Sequence, residues 1–269
     1  TALLRAYIQI ATKNVAAFEI AFEAGDCPFP VTSNAVRLLV EDESGTSMHV
    51  DGFVASDHSL TGSVNLDEEQ TGLVKCHDLQ GPIDDAFMSS FIVVTSSDEC
   101  SSANMNAFRK SEQLRLIREW RRHFRGDAVV KADKDITDDD IRSSNLVLFG
   151  SPDSNSILRQ IEKDLPIRWN RDHFSVGEKK YDAENFAPIL IYPNPLNPNK
   201  YVVINSGFTF REYAYLNNAR QVPMLPDWAI VDLRTPPNSR WPGKIVDAGF
   251  FDEQWKLKPA EISLSETGR

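Results

Sequence analysis

The sequence predicts a small β-rich domain followed by an α/β domain with an open parallel sheet. Residues 1–84 show alternation of period two and no long helical stripe. Residues 85–258 alternate continuous apolar runs of strand length with helical patterns, and the change of style falls near 82–88. Alternation of the second kind implies right-handed crossovers and a flavodoxin-like or Rossmann-like sheet.

In the first part, "AAFEIAFEA" places Phe18, Ile20 and Phe22 on one face, opposite Glu19 and Glu23. "AVRLLVEDESG" is a second short apolar run ending in a turn cluster, which suits a sandwich-like module. In the second part, "FIVVTSS" reads as a strand buried on both faces. "NAFRKSEQLRLIREWRRHFRG" follows as a helix, with Phe108, Leu114, Ile117, Trp120 and Phe124 on its apolar face and Gly126 just beyond its end. "AVVKA", the segment "ITDDDIRSSN", the strand "NLVLFG" and a helix over 154–164 come next. "APILIYP", "KYVVINSG" and "WAIVD" complete the strands, and residues 259–269 form a loose polar tail.

Composition narrows the function classes. A net charge of −10 over 269 residues argues against a nucleic-acid surface. No apolar run approaches the roughly 18 residues that a membrane span needs. Cys27, Cys76 and Cys100 are odd in number and widely spaced, so they allow one disulfide at most and suggest buried thiols rather than a zinc site. The opening residues carry no Met and no signal pattern and read as a fragment of a longer protein.

The stretch "NLVLFGSPDSNSILRQIEK" passes from strand through a glycine turn to a helix, where α/β proteins keep nucleophiles or hold phosphates. G-x-S-x-G is not met: Pro152 stands at the nucleophile position and Ser154 at the final glycine. An anion loop of Ser151, Ser154 and Asn155 at the helix start competes with a plain cap by Ser151 or Asp153, and Asp153 would repel phosphate. Neither G-x-G-x-x-G nor G-x-x-x-x-G-K-[ST] occurs, so no flavin, nicotinamide or other cofactor is expected. The calcium reading of "DKDITDDDI" fails because Asp138 and Ser144 occupy the positions of the loop glycine and glutamate. Thr137 capping a helix explains that segment instead. The basic helix around Trp120 reads as a solvated face, or one docking on an acidic neighbour.

Polar residues at several strand ends converge on the carboxyl edge of the expected sheet. Ser96 and Ser97, then Ser151, Asp153, Ser154 and Asn155, then Asn205 and Ser206, are the candidate ligand residues there. No complete catalytic set and no metal site is read in the chain.

Three phrases, "LQGPIDDAFMSSFIVV", "APILIYPNPLNPNKYVVINSGFTF" and "DWAIVDLRTPPNSRWPGKIVDAGFFDEQW", carry a resemblance. They are similar to the region C-terminal to the catalytic domain in large bacterial prolyl-oligopeptidase-like serine hydrolases of the α/β-hydrolase superfamily. The similarity covers about Leu79 to Trp255 and extends more loosely over the β-rich part. It implies an accessory β domain followed by a flavodoxin-like domain, with nucleophile, acid and histidine in an upstream hydrolase domain. No catalytic residue carries over to this chain. A periplasmic or extracellular location is also implied. The expected function is thus a non-catalytic accessory region that packs on or gates the hydrolase domain, or binds a peptide or glycan substrate. The alternative is a free-standing α/β ligand-binding or hydrolytic domain using the carboxyl-edge residues.

Overall fold

The computed structural model describes residues 7–258 apart from 14, 16, 32–35, 42–46, 53 and 66–71, so the tail expected at 259–269 lies outside the described residues. The chain divides into two compact units, residues 1–71 and 72–269. The sequence put the junction at 84/85. It falls earlier because Ile83, Ala86 and Phe87 are buried in the core of the second unit, and Gly81 N–H donates to the Tyr201 hydroxyl (3.1 Å).

The first unit holds five strands: β1 (Tyr7–Ala11), β2 (Ala17–Phe22), β3 (Val36–Glu41), β4 (Ser47–Gly52) and β5 (Leu60–Asn65). β3 pairs in parallel with β1 and antiparallel with β4, while β2 and β5 form a separate antiparallel pair. The alternation in "AFEIAF" is realised, with Phe18, Ile20 and Phe22 half-buried and their neighbours exposed. Phe18 and Ile20 pack with Leu38, Val40 and Val64, so the two sheets share one apolar layer.

The second unit is a mixed α/β structure around a seven-stranded sheet. Its elements are β6 (Phe91–Thr95), α1 (Ala103–Phe124), β7 (Val129–Ala132), α2 (Asp138–Ser143), β8 (Asn145–Leu148), α3 (Ser156–Ile161), β9 (Ile167–Trp169), β10 (His173–Val176), β11 (Lys179–Asp182), β12 (Phe186–Asn194), β13 (Asn197–Ile204), β14 (Trp228–Asp232) and β15 (Lys244–Gly249). The sheet order is β15-β14-β12-β13-β8-β6-β7. Only the pairs β7–β6, β6–β8 and β8–β13 are parallel.

The expectation of a parallel sheet throughout is therefore corrected. "APILIYP" and "KYVVINSG" face each other as an antiparallel hairpin, with Asn194 opposite Asn197. Two intervening residues can close a hairpin, whereas a parallel crossover takes a dozen or more. Both sheet faces are nevertheless dry. Val93, Val147, Val203 and Val231 point to one buried cluster, and Ile92, Val94, Leu146, Leu148 and Ile204 point to the other. A three-stranded antiparallel sheet, β9–β10–β11, covers part of the second face through Ile167, Phe174 and Val176, where the sequence anticipated helices alone.

Helix α1 corrects a second expectation. Leu114 and Phe124 are 66% and 50% exposed, while Arg109, Glu112, Arg115 and Glu119 are buried beside Phe108 and Leu116. Two of the buried charges have close partners: Arg211 forks onto Glu112 at 2.8 and 3.2 Å, and Arg118 donates to Glu119 at 2.7 Å. The basic residues are thus only in part a solvated face. The left-handed residue at the helix end is Arg125 (φ 61°), not Gly126.

The Thr137 cap is realised as a capping box. Asp140 N–H donates to Thr137 Oγ1, and Asp140 Oδ2 accepts the Thr137 N–H (2.9 Å). Lys131 donates to the same carboxylate at 2.7 Å. That bond first, and the Thr137 N–H next, hold the Asp140 pKa down at about 2. A carboxyl depressed on folding adds stability above its unfolded pKa of about 4, and that stability is lost as pH falls toward about 2. Asp140→Asn should be the less stable protein at neutral pH. Its deficit should vanish across that window in denaturant midpoints.

Candidate functional site

The carboxyl ends of β6, β8 and β13 meet where the chain turns after each strand. Gly150, directly after the β8 segment, has φ 121°, and a Cβ there would collide with Ser96 Oγ and stand 2.6 Å from Ser154 Oγ. Only glycine fits that approach. Asn205 then clamps the glycine: its Oδ1 accepts Gly150 N–H (2.8 Å) and its Nδ2 donates to Gly150 O (3.0 Å). Ser96 Oγ donates to Phe149 O, which ties β6 to β8. The three strand ends are locked together by their own side chains.

The helix start is closed in the same way. Asn155 caps α3, with Oδ1 accepting from Ile157 N–H (3.0 Å) and Leu158 N–H (3.1 Å), and its Nδ2 donates to Phe149 O. The cap is therefore Asn155, not Ser151 or Asp153. Ser156 N–H donates to Asp133 Oδ2 at 2.6 Å. Asp133 also accepts from Ser97 through both its N–H (2.9 Å) and its hydroxyl. Burial opposes ionisation of Asp133, yet these donors outweigh it and hold the pKa below the usual value. The N–H groups that an anion loop would offer are already engaged by Asp133 and Asn155.

The eight candidate residues accordingly part company. Ser154, Asn155 and Asn205 are fully buried, and Ser206 donates to its neighbour Gly207 O. Ser154 Oγ accepts from Ser151 N–H (3.0 Å), donates to Ser151 O (3.1 Å) and lies 3.2 Å from Cys100 Sγ. Ser96 and Ser97 are tied to Phe149 and Asp133. Of the eight, Ser151 and Asp153 line the cleft beside this turn.

That space is a cleft of about 320 Å³ at the carboxyl edge. The start of α1 forms one wall with Ser101, Ser102 and Met105, and the Ser151–Asp153 turn forms the floor. Trp169 at the end of β9 and Phe186 at the start of β12 supply aromatic surface. The charged lining residues are Asp153 and Glu162 against Arg159 and Arg171, two of each sign. Arg159 donates to Pro152 O (2.9 Å) and Asp153 O (2.8 Å), which stiffens the turn. Arg171 Nε donates to Ser101 Oγ at 3.2 Å. The Asp153 carboxylate accepts from Ser101 N–H (2.8 Å) and from the Ser101 and Ser151 hydroxyls. Burial works against it, but those bonds prevail and keep its pKa below the ordinary range.

Trp169 and Arg171 are not legible as site residues unless 165–182 is recognised as strands, while Ser101 sits in the loop before α1 and Phe186 at the first position of β12. The signal was there: Phe174 and Val176 alternate, and Gly177 (φ 59°) opens a two-residue hairpin loop before Lys179. All three cysteines are free, and Cys76 is exposed rather than buried. Among the described residues, no helix is long and apolar enough to cross a membrane, and no group of three or more His, Cys, Asp or Glu could hold a metal ion. No family model matches the chain, and neither a curated protein nor a solved structure is significantly similar to it.

Proposed function

We propose that this chain is a ligand-binding accessory region of a larger prolyl-oligopeptidase-like serine hydrolase, and that its carboxyl-edge cleft takes a neutral, hydroxyl-rich ligand such as a short glycan. The observation that carries the ligand class is the charge-balanced lining with aromatic surface from Trp169 and Phe186. An aromatic face suits the C–H side of a sugar ring, while Asp153, Ser101 and Ser151 can exchange hydrogen bonds with its hydroxyls. The cleft volume is at the small end of ligand sites, enough for one or two rings.

The parallel strands support a flavodoxin-like reading of this half of the sheet. Taken in chain order, β6, β7, β8 and β13 stand as 2-1-3-4, with the order reversing between β6 and β8. Ligands of open α/β sheets bind at such a reversal, and Ser151 follows β8 there. The link to a hydrolase domain rests on the resemblance of the three phrases. Three of the five histidines have environments that suit a chain whose nucleophile lies elsewhere: His173 bonds Asn170 (2.9 Å), His123 lies 3.8 Å from Glu119, and His77 pairs with Asp78 in solvent.

Calorimetric titration with cellobiose, maltose, N-acetylchitobiose, FMN and NAD tests the ligand class. Saturable binding of a disaccharide and none of FMN or NAD is expected. Micromolar binding of either nucleotide overturns the ligand class. Treatment with a fluorophosphonate probe tests the accessory role, and stoichiometric labelling of any serine in this chain would overturn it.

A further inference from the structure

A second depression, of about 410 Å³, lies where α1 meets the turn after β13. Arg115 and Arg118 reach it from the helix, Arg211 and Glu212 from the turn, and Asn238 and Ser239 from the segment between β14 and β15. Arg115 and Arg211 are 5% and 7% exposed. Arg211 is fully engaged, forking onto Glu112 and donating from Nε to Asn238 O (3.1 Å). Arg115 is not. Its terminal nitrogens reach Phe210 O (2.8 Å) and Phe208 O (3.4 Å), but its buried Nε has no hydrogen-bond partner.

The nearest anion to that nitrogen is Glu212, and it is held loosely. Its carboxylate lies 3.6 Å from Arg115 Nε, 4.0 Å from Arg118 Nη2 and 4.0 Å from Arg211 Nε. Three guanidiniums surround one carboxylate, and none is within hydrogen-bond distance. Arg118 and Arg122 pair with Glu119, and Arg211 pairs with Glu112. The carboxylates of Glu112 and Glu119 are thus taken by other arginines, and Glu212 is the acid left facing the Arg115 Nε. Burial, and then the charge of Arg211, act against the Arg115 cation. A buried cation with an idle donor is costly, and an added anion removes that cost.

We propose that this depression binds the carboxylate group of a ligand, with Glu212 as an internal stand-in that the ligand displaces. The planar Arg115 guanidinium suits a carboxylate, and exposed Arg118 supplies a second contact. Glu212 is 35% exposed and accepts no hydrogen bond among the described residues, so it can leave without breaking one. A free small carboxylic acid and the C-terminus of a peptide present the same group.

The test is calorimetry on the whole chain with acetate, N-acetyl-Ala-Ala and the C-terminal amide of that dipeptide. Glu212→Gln should tighten carboxylate binding about tenfold. Arg118→Gln should weaken it about threefold, as befits an exposed cation. The amide should bind to neither the wild type nor the variants. Arg118 is 68% and Glu212 35% exposed, and a retained cooperative thermal transition verifies that both variants fold. Equal binding of acetate and dipeptide supports the proposal with a free acid as ligand, and selective binding of the dipeptide supports it with a peptide terminus. Absence of saturable carboxylate binding in both wild type and Glu212→Gln overturns it. So does equal binding of the amide.

Discussion

Replacing Lys75 by Met should lower the stability of the second unit by about 3–5 kcal/mol. Lys75 Nζ sits 2.6 Å from Asp227 Oδ2, and the Asp227 side chain is wholly buried. The same oxygen accepts Phe251 N–H (2.9 Å), while Oδ1 has no partner. Burial raises the Asp227 pKa, and the ammonium is the strongest influence opposing it. Lys75 also lies 4.8 Å from the centre of the buried Trp255 ring, so the variant loses a cation–π contact too. Removing the ammonium leaves a carboxylate in the core with only the Phe251 N–H and the weaker influence of Lys258 to offset its burial. Removing both charges, as Lys75→Met with Asp227→Asn, should restore a large part of the loss, because a paired deletion strands no charge. Denaturant midpoints at constant slope measure both variants. A loss under about 1 kcal/mol for Lys75→Met would show that residues 72–84 do not belong to this unit.

Asn155→Leu should be nearly as damaging, at about 3 kcal/mol or more. Leucine leaves the Ile157 and Leu158 N–H groups without their acceptor in a site of zero exposure, and deprives Phe149 O of the Nδ2 donor. Each buried group so orphaned costs about 1–3 kcal/mol, although the shared carbonyl of Phe149 keeps its bond from Ser96. Asn155→Asp retains the acceptor and should lose less. The comparison separates a structural cap from a ligand contact. If Asn155→Leu kept wild-type stability, the closed helix start described above would be wrong.

The individual strands were legible from residues because each is an apolar run between turn signals. β6, β8, β12, β13 and β14 fall where "FIVVT", "NLVL", "APILIYP", "KYVVI" and "WAIVD" place them. Direction was less legible, since a buried strand reads the same in parallel and antiparallel neighbours. The two-residue link between Asn194 and Asn197 is what dictates an antiparallel pair there. Helix α1 misled for another reason. A stripe argument assigns apolar residues to the core, and Glu112 and Arg115 are buried because Arg211 and the carbonyls of Phe208 and Phe210 come from elsewhere to meet them, while Glu119 is met by its helix neighbour Arg118. The site was half legible. Polar strand ends do gather at one edge, but whether a serine or asparagine faces a ligand or clamps a strand depends on partners distant in sequence. Asp133 illustrates it: nothing near "KADKD" announces that its carboxylate will hold both Ser97 and Ser156.

The claim most exposed to test is that a ligand enters between Trp169 and the Ser151–Asp153 turn, with Ser154, Asn155, Asn205 and Ser206 serving as scaffold behind it. Amide and indole chemical shifts followed during titration with the disaccharide that binds best would settle it. Saturable shifts are expected at the Trp169 indole and at the amides of residues 101–105, Ser151 and Asp153. No shift is expected at Trp241, which lines a separate groove beside β15. Shifts centred on Trp241, with Trp169 unmoved, would contradict it.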